Sequence, residues 1–313
     1  MNGSETMSEI RNVIIIGSGP AGYTAGLYTA RAMLEPLMFS GYASGGQLML
    51  TSDVENFPGY PQGITGPEMM MHLREQAERF GCEVIDKNVA SVDFSSRPFK
   101  VTVESEVFQS HAIIICTGAE AIWLNAENEE AQKGRGISTC ATCDGAFFRD
   151  EDVLVIGGGD SAMEEALFLT KFASKVYVVH RREEFRASQI MQDRVMNHEK
   201  IEVIWNSTVE KIVGDGAVSS VVIKDTVDGS EKEMKIDGVF VAIGHDPNVG
   251  FLNNFVELDD KGYIKTGFTT DTSTSVPGVF AAGDVADSIY RQAITAAGTG
   301  CQAAIDSERW LDH

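Results

Sequence analysis

The sequence predicts an α/β chain of two Rossmann-like dinucleotide-binding domains, with the second inserted into the first. Three observations carry this. A β-branched run breaks into glycines and then into a helical pattern at residues 12–32, "NVIIIGSGPAGYTAGLYTARA". The same succession returns at 152–173, "DVLVIGGGDSAMEEALFLTKFA", a domain's length further on rather than a short repeat. Apolar strands that end in a glycine turn then recur at 100–119, 235–248 and 276–287.

Each glycine-rich unit reads as a buried parallel strand, a tight turn and an amphipathic helix. Residues 100–119, "KVTVESEVFQSHAIIICTGA", read as antiparallel strands feeding a last buried strand. "KIDGVFVAIGHDPN" (235–248) closes the second unit in the same way. "VPGVFAAGDVAD" (276–287) and the helix pattern "RQAITAAGTGCQAAIDSERWL" (291–311) finish the chain. The economical arrangement folds residues 1–119 and 247–313 together and inserts 120–246 as the second domain.

Composition bounds the function. With 313 residues, 43% of them hydrophobic and 23% charged, the chain can bury two full cores. Its 25 basic and 46 acidic residues give a net charge of −21, which opposes nucleic acid and anionic membranes. "MNGSETMSEI" carries no secretory pattern, and no run reaches the ~20 apolar residues of a membrane helix. A cytoplasmic location is expected, where thiols stay reduced. Cys82, Cys116 and Cys301 stand singly in apolar surroundings and read as small buried hydrophobes.

The first glycine string is Gly17-x-Gly19-x-x-Gly22, with Ser18, Pro20 and Ala21 between. Gly17 permits the sharp turn, Gly19 lets a pyrophosphate approach the backbone, and Gly22 lets the helix sit close to the sheet. The helix start then offers amide donors to the phosphates. No acid follows at the end of the next strand, "LMFSG" (37–41), but Asp284 follows a later buried strand. A carboxylate there suits a ribityl hydroxyl, which assigns the first domain to FAD.

The second string is Gly157-x-Gly159-x-x-Ala162, with Asp160 and Ser161 at the helix start. After its next strand, "KVYVVHRREEFRAS" (175–188) places His180, Arg181, Arg182 and Arg186 where an NAD site would carry an acid. Guanidinium groups suit a 2′-phosphate, so the second domain reads as an NADPH site.

The remaining feature is "CATCDG" (140–145). Zinc requires four ligands, yet no second Cys-x-x-Cys exists and the six histidines lack paired spacing. A structural disulfide of this span constrains little and suits a reducing compartment poorly. A redox pair remains, with Cys140 and Cys143 one helical turn apart and Asp144 as a proton donor. A helix cap is the plainer role for Asp144.

Together with "GGQL" (45–48), "ENFPG" (55–59), "HRREEFRAS", "IGHDPN" (243–248) and "RQAITAAGTGCQAA", these motifs resemble the low-molecular-weight, bacterial-type thioredoxin reductases over essentially the whole chain. The resemblance implies a homodimeric FAD enzyme that passes electrons from NADPH to thioredoxin. It implies that Cys143 lies against the flavin, Cys140 attacks thioredoxin and Asp144 protonates. It implies FAD contacts at Ser18, Gly19, Pro20, Ala21, Gln47, Asn56, Asp284, Arg291, Gln292 and Ala293. NADPH contacts are implied at Asp160, Ser161, His180, Arg181, Arg182, Arg186, Ile243 and Gly244. Two departures are visible: Asp160-Ser161 stands where many relatives have Asn-Thr, and Cys116 where Ala is common. Three neighbours of the pattern fit less well. The flavoprotein of alkyl hydroperoxide reductase carries an extra N-terminal domain, the related ferredoxin–NADP reductase lacks the cysteine pair, and a flavin-bound redox sensor has no need of the whole set.

Overall fold

A computed structural model describes residues 9–51 and 53–313. Residues 1–8, where most of the leading segment read for a targeting signal falls, lie outside the described residues. The chain divides into two compact units, residues 1–120 with 246–313 and residues 121–245.

The first unit is built on a parallel sheet in the spatial order Glu83–Ile85, Leu37–Phe39, Arg11–Ile16, Glu106–Ile115, Val279–Ala281. Isoleucines 14–16 alternate between the two faces, as a strand's two-residue period requires. Val13 and Ile15 meet the helices Pro20–Arg31 and Ala293–Leu311 through small residues such as Ala21, Ala25, Ala296 and Ala303. Ile14 and Ile16 meet Phe99, Val101 and Ile264 on the other face. Glu106–Ile115 is long enough to serve twice. Its first half pairs antiparallel with Phe99–Val103, and its last residues join the parallel sheet.

The second unit repeats the plan. Its parallel sheet runs Ile137–Ser138, Gly238–Val241, Asp152–Ile156, Lys175–Val179, Ile201–Ile204. Val153 and Val155 face the helix Asp160–Leu169 through Ala162, Met163 and Ala166. Leu154 and Ile156 face an antiparallel meander, Ser207–Gly214, Val218–Asp225 and Glu231–Lys235. Ala119–Ala121 and His245–Pro247 pair with each other as a two-stranded ribbon. Among the described residues no helix is long and apolar enough to cross a membrane.

Candidate active site

The first glycine turn is fixed by close approach. Gly17 has φ +106°, and a Cβ there would lie 2.2 Å from the carbonyl oxygen of Cys116. A Cβ at Gly22 would lie 2.1 Å from the carbonyl oxygen of Gly17, so these two glycines are demanded by the fold itself. Gly19 differs: among the described residues nothing lies within 4 Å of a Cβ built there. Gly19 caps the helix Pro20–Arg31 without a side-chain hydrogen bond, and the first turn holds no acid. Open space thus lies before a row of helix-start amides, the requirement for an anionic ligand.

Ser18 donates from Oγ to the Ser40 carbonyl oxygen (2.8 Å) and accepts from the Gly45 amide (2.9 Å). That ties the turn to the ends of the neighbouring segments. Gln47 is exposed in the short helix Gly46–Leu50, and Asn56 donates to Gln292 Oε1 at 3.4 Å. Gln292 caps the helix that begins at Ala293, in a reciprocal box with Thr295. Arg291 holds φ +48°, its amide donating to Asp287 Oδ2 at 3.0 Å. Asp287 Oδ1 also accepts from the amides of Ile289 and Tyr290.

Asp284 lies in the turn Gly283–Val285, beside Ala21 of the glycine turn: a Cβ at Gly283 would meet Ala21 Cβ at 2.8 Å. Its Oδ1 is buried without a hydrogen-bond partner among the described residues. Burial, then the nearby Asp287 charge, pushes its carboxyl up from 3.8 to about 6, against the pull of Arg291. An orphaned buried acceptor calls for a donor from a ligand.

The second turn shares the first's geometry. A Cβ at Gly157 would lie 2.4 Å from the Ala242 carbonyl oxygen, whereas one at Gly159 meets nothing within 4 Å among the described residues. Asp160, Ser161 and Ala162 open the helix Asp160–Leu169. At Gly158 a Cβ would fall 2.2 Å from the His180 ring, so the turn lies flat against that imidazole. His180 is buried, its Nε2 lacks a partner among the described residues, and burial lowers its pKa. The ring belongs to a cluster with Phe185 and Trp205. Phe185 and Ala187 are buried while Arg181, Arg182 and Arg186 are exposed. None of the three guanidinium groups forms a salt bridge among the described residues. Ile243 and Gly244 follow the strand Gly238–Val241, and the Gly244 carbonyl accepts from the Ile122 amide.

Cys140 and Cys143 form a disulfide with their Cα atoms 5.3 Å apart. Cys140 is extended and caps the short helix Ala141–Asp144, and its carbonyl accepts from the Cys143 and Asp144 amides. Cys140 is half-buried and Cys143 exposed. Ala141 packs in the same core as Ala162 and Met163, so the cysteine turn rests against the second glycine turn's helix. Cys82 and Cys116 are buried, Cys301 is half-buried, and none of the three is in a disulfide.

Residues 11–300 match the pyridine nucleotide-disulphide oxidoreductase family. The thioredoxin reductase of Mycolicibacterium smegmatis is 54% identical, with 98% of each chain covered. That of Chlamydia trachomatis is 52% identical over 96% of this chain and 98% of its own. Thioredoxin reductase from Giardia duodenalis superposes with a TM-score of 0.94 at 45% identity, covering 98% of this chain and all of the other. The chain belongs to the thioredoxin reductase family. This family works with FAD and NADPH.

Asp144 directly follows Cys143 and is half-buried. Burial raises its carboxyl pKa, while a hydrogen bond with Ser138 pulls it down. Ser138 Oγ also accepts from the Cys140 amide, so one hydroxyl couples the acid to the backbone of the pair. The space before Gly19, the uncapped helix start and the orphaned Asp284 oxygen together fit FAD in the first unit. Four residues with a part in these sites carry no assignment in the sequence reading: Ser40, Asp287, Tyr263 and Ser188. Ser188 closes the arginine motif, and Asp287 has the turn chemistry of an Asx followed by Ser. Tyr263 is buried beside Arg291 and Asp284, and nothing local in "KGYIK" signals it.

Proposed function

We propose that this chain is an NADPH-dependent thioredoxin-disulfide reductase, with FAD held by residues 1–119 and 247–313 and NADPH by residues 120–246. The observation that carries the reading is the Cys140–Cys143 disulfide with Asp144 beside it, packed on the helix of a turn to which a loop bearing three exposed arginines is bonded. When bound, FAD supplies the two-electron relay between NADPH and the disulfide.

The chain's own residues divide the work. Gly17, Ser18, Gly19, Pro20, Ala21 and Gly22 cradle the FAD pyrophosphate, and Asp284 accepts a ribityl hydroxyl. Gln47, Asn56, Arg291, Gln292 and Ala293 line the rest of that site. Gly157, Gly159, Asp160, Ser161 and Ala162 form the NADPH turn, flanked by Ile243 and Gly244. Arg181, Arg182 and Arg186, backed by His180, take the 2′-phosphate. Reduction of the disulfide with two electrons and two protons leaves Cys140 and Cys143 as a dithiol. The Cys140 thiolate then attacks thioredoxin's disulfide, forming one intermolecular S–S bond and releasing one sulfur. Cys143 attacks the Cys140 sulfur, the intramolecular bond re-forms, and thioredoxin leaves with two thiols. Asp144, whose carboxyl pKa burial raises, supplies a proton to a departing thiolate.

The test is reduction of a disulfide dye by purified protein with NADPH or NADH, with and without added thioredoxin. Strong stimulation by thioredoxin with NADPH supports the reading. Dye reduction indifferent to thioredoxin, or equal with NADH, overturns it. The same reading makes the protein a cytoplasmic homodimer, with no nucleic-acid or membrane partner. Sedimentation of the holoenzyme as a monomer, or its recovery with membranes, would count against those parts.

A further inference from the structure

Asp160 sits at the start of a helix where a pyrophosphate is expected, and a negative charge there opposes such a ligand. The carboxylate has a different engagement. Asp160 Oδ1 accepts from the Ser188 amide at 2.9 Å and from Ser188 Oγ at 2.7 Å. Ser188 is the residue at which the arginine loop ends and the next helix, Gln189–Met196, begins.

The rest of the loop is pinned to the same turn. The Gly158 carbonyl accepts from the Arg186 amide (2.7 Å) and the Ala187 amide (3.1 Å), and Gln192 Nε2 donates to the Ala187 carbonyl oxygen (2.8 Å). Residues 181–188 therefore leave the sheet at His180 and return to the glycine turn at Gly158 and Asp160. Three exposed guanidinium groups ride on this arch. Guanidinium groups on a loose loop would have to be ordered by the ligand, at a cost in affinity; on a pinned loop that cost is met in folding.

We infer that Asp160 is a positioning residue for recognition of the 2′-phosphate: it closes the arginine loop through Ser188 and so sets the preference for the phosphorylated dinucleotide. The inference rests on the reading of this loop as the NADPH site. Because Asp160 and Ser188 are both exposed, water can replace the lost bonds, so the effect of removing them falls on loop placement more than on folding.

The experiment measures binding of 2′,5′-ADP and of 5′-AMP to the oxidised holoenzyme by calorimetry, and takes the ratio of the two affinities. Because Asp160→Asn removes the same negative charge as Asp160→Ala, it controls for the effect of that charge on the ratio. Asp160→Ala should lower it about tenfold, the scale of one lost charge-assisted hydrogen bond. Asp160→Asn keeps an acceptor oxygen and should hold the ratio within about twofold. Ser188→Ala keeps the amide donor and should fall between. An unchanged ratio in Asp160→Ala, or an equal fall in Asp160→Asn, overturns the inference. Arg181→Ala/Arg182→Ala runs alongside. If the ratio falls there but not in Asp160→Ala, only the clamp is wrong; if it falls in neither, the NADPH assignment beneath it is wrong.

Discussion

Around Gly17–Gly22 the neighbouring segments bring a serine carbonyl, a capping glutamine and the buried carboxylate of Asp284. Around Gly157–Ala162 they bring a buried histidine, its pKa lowered by burial, and three exposed arginines. The turns themselves are interchangeable: in both, one glycine is pressed against a strand-end carbonyl and another faces open space. What a dinucleotide turn binds is decided by the residues set opposite it, at the carboxyl ends of adjacent strands. The cysteine pair lies in the arginine-bearing unit, and under the proposed function the two turns carry different halves of one electron path.

The largest expected effect comes from cutting that path after the turns. Cys140→Ser and Cys143→Ser should each reduce NADPH-dependent thioredoxin turnover by at least about 10³-fold, since neither sulfur can close the cycle alone. Anaerobic bleaching of the flavin by NADPH should persist in both, because neither turn is touched. Loss of bleaching would mean that the turns and the cysteine pair are not separable.

The next test breaks the comparison at the arginines. Arg181→Ala/Arg182→Ala should raise the NADPH Michaelis constant by on the order of 100-fold, two charge-assisted phosphate bonds discounted for exposure. The constant for NADH should move by less than about threefold. Equal changes for both nucleotides would leave the second turn without its distinguishing partner.

Much of this is legible in the sequence alone. The strand–turn–helix units at 12–32 and 152–173 announce themselves because period-2 burial, glycine and period-3.6 burial follow one another without a break. Arg181 and Arg182 were legible by position, since the strand Lys175–Val179 ends one residue before His180. What stayed hidden depends on long-range closure. The antiparallel meander 207–235 contains charged, alternating strands such as "EKEMK", whose partner strands fix them as strands more than their composition does. Asp160 reads locally as an acid misplaced near a phosphate, and only its bonds to Ser188, 28 residues away, reveal another use. Tyr263 reaches Asp284 and Arg291 from a separate segment, so no local pattern marks it.

A smaller effect separates the first turn by pH. The Asp284 carboxyl titrates near 6 in the fold and near 3.8 when exposed, so its charged form is disfavoured by folding. Without FAD, its ionisation costs stability above about pH 6, and that cost fades as pH falls from about 6 to about 4. Asp284→Asn apoprotein should therefore melt higher than the parent near pH 7.5, with the gap closing near pH 4.5. Asp284→Ala should weaken FAD binding about tenfold in a flavin-fluorescence titration. A melting gap that is constant with pH would show that the carboxyl is not desolvated. At the second turn the dependence has the opposite sign: burial lowers the pKa of His180, so its protonation costs stability as pH falls.

The smallest effect, on folding stability, tests whether the two open glycines are there for ligands alone. Gly19 has φ −68° and Gly159 φ −101°, both within reach of alanine, and a Cβ at either meets nothing within 4 Å among the described residues. Alanine should gain about 0.4–1 kcal/mol by restricting the unfolded chain. It should lose a comparable few tenths to 1 kcal/mol because glycine is the better helix cap. The net is near zero, so Gly19→Ala and Gly159→Ala should each melt within about 2 °C of the parent when measured without ligand. Gly17→Ala and Gly22→Ala cannot share this tolerance, because their added carbons would lie 2.2 and 2.1 Å from backbone oxygens. The open pair should then separate by ligand: Gly19→Ala retains less FAD with NADPH affinity unchanged, and Gly159→Ala the reverse. If Gly19→Ala melts far below the parent without flavin, that glycine serves the fold, and the space before it cannot be credited to a pyrophosphate.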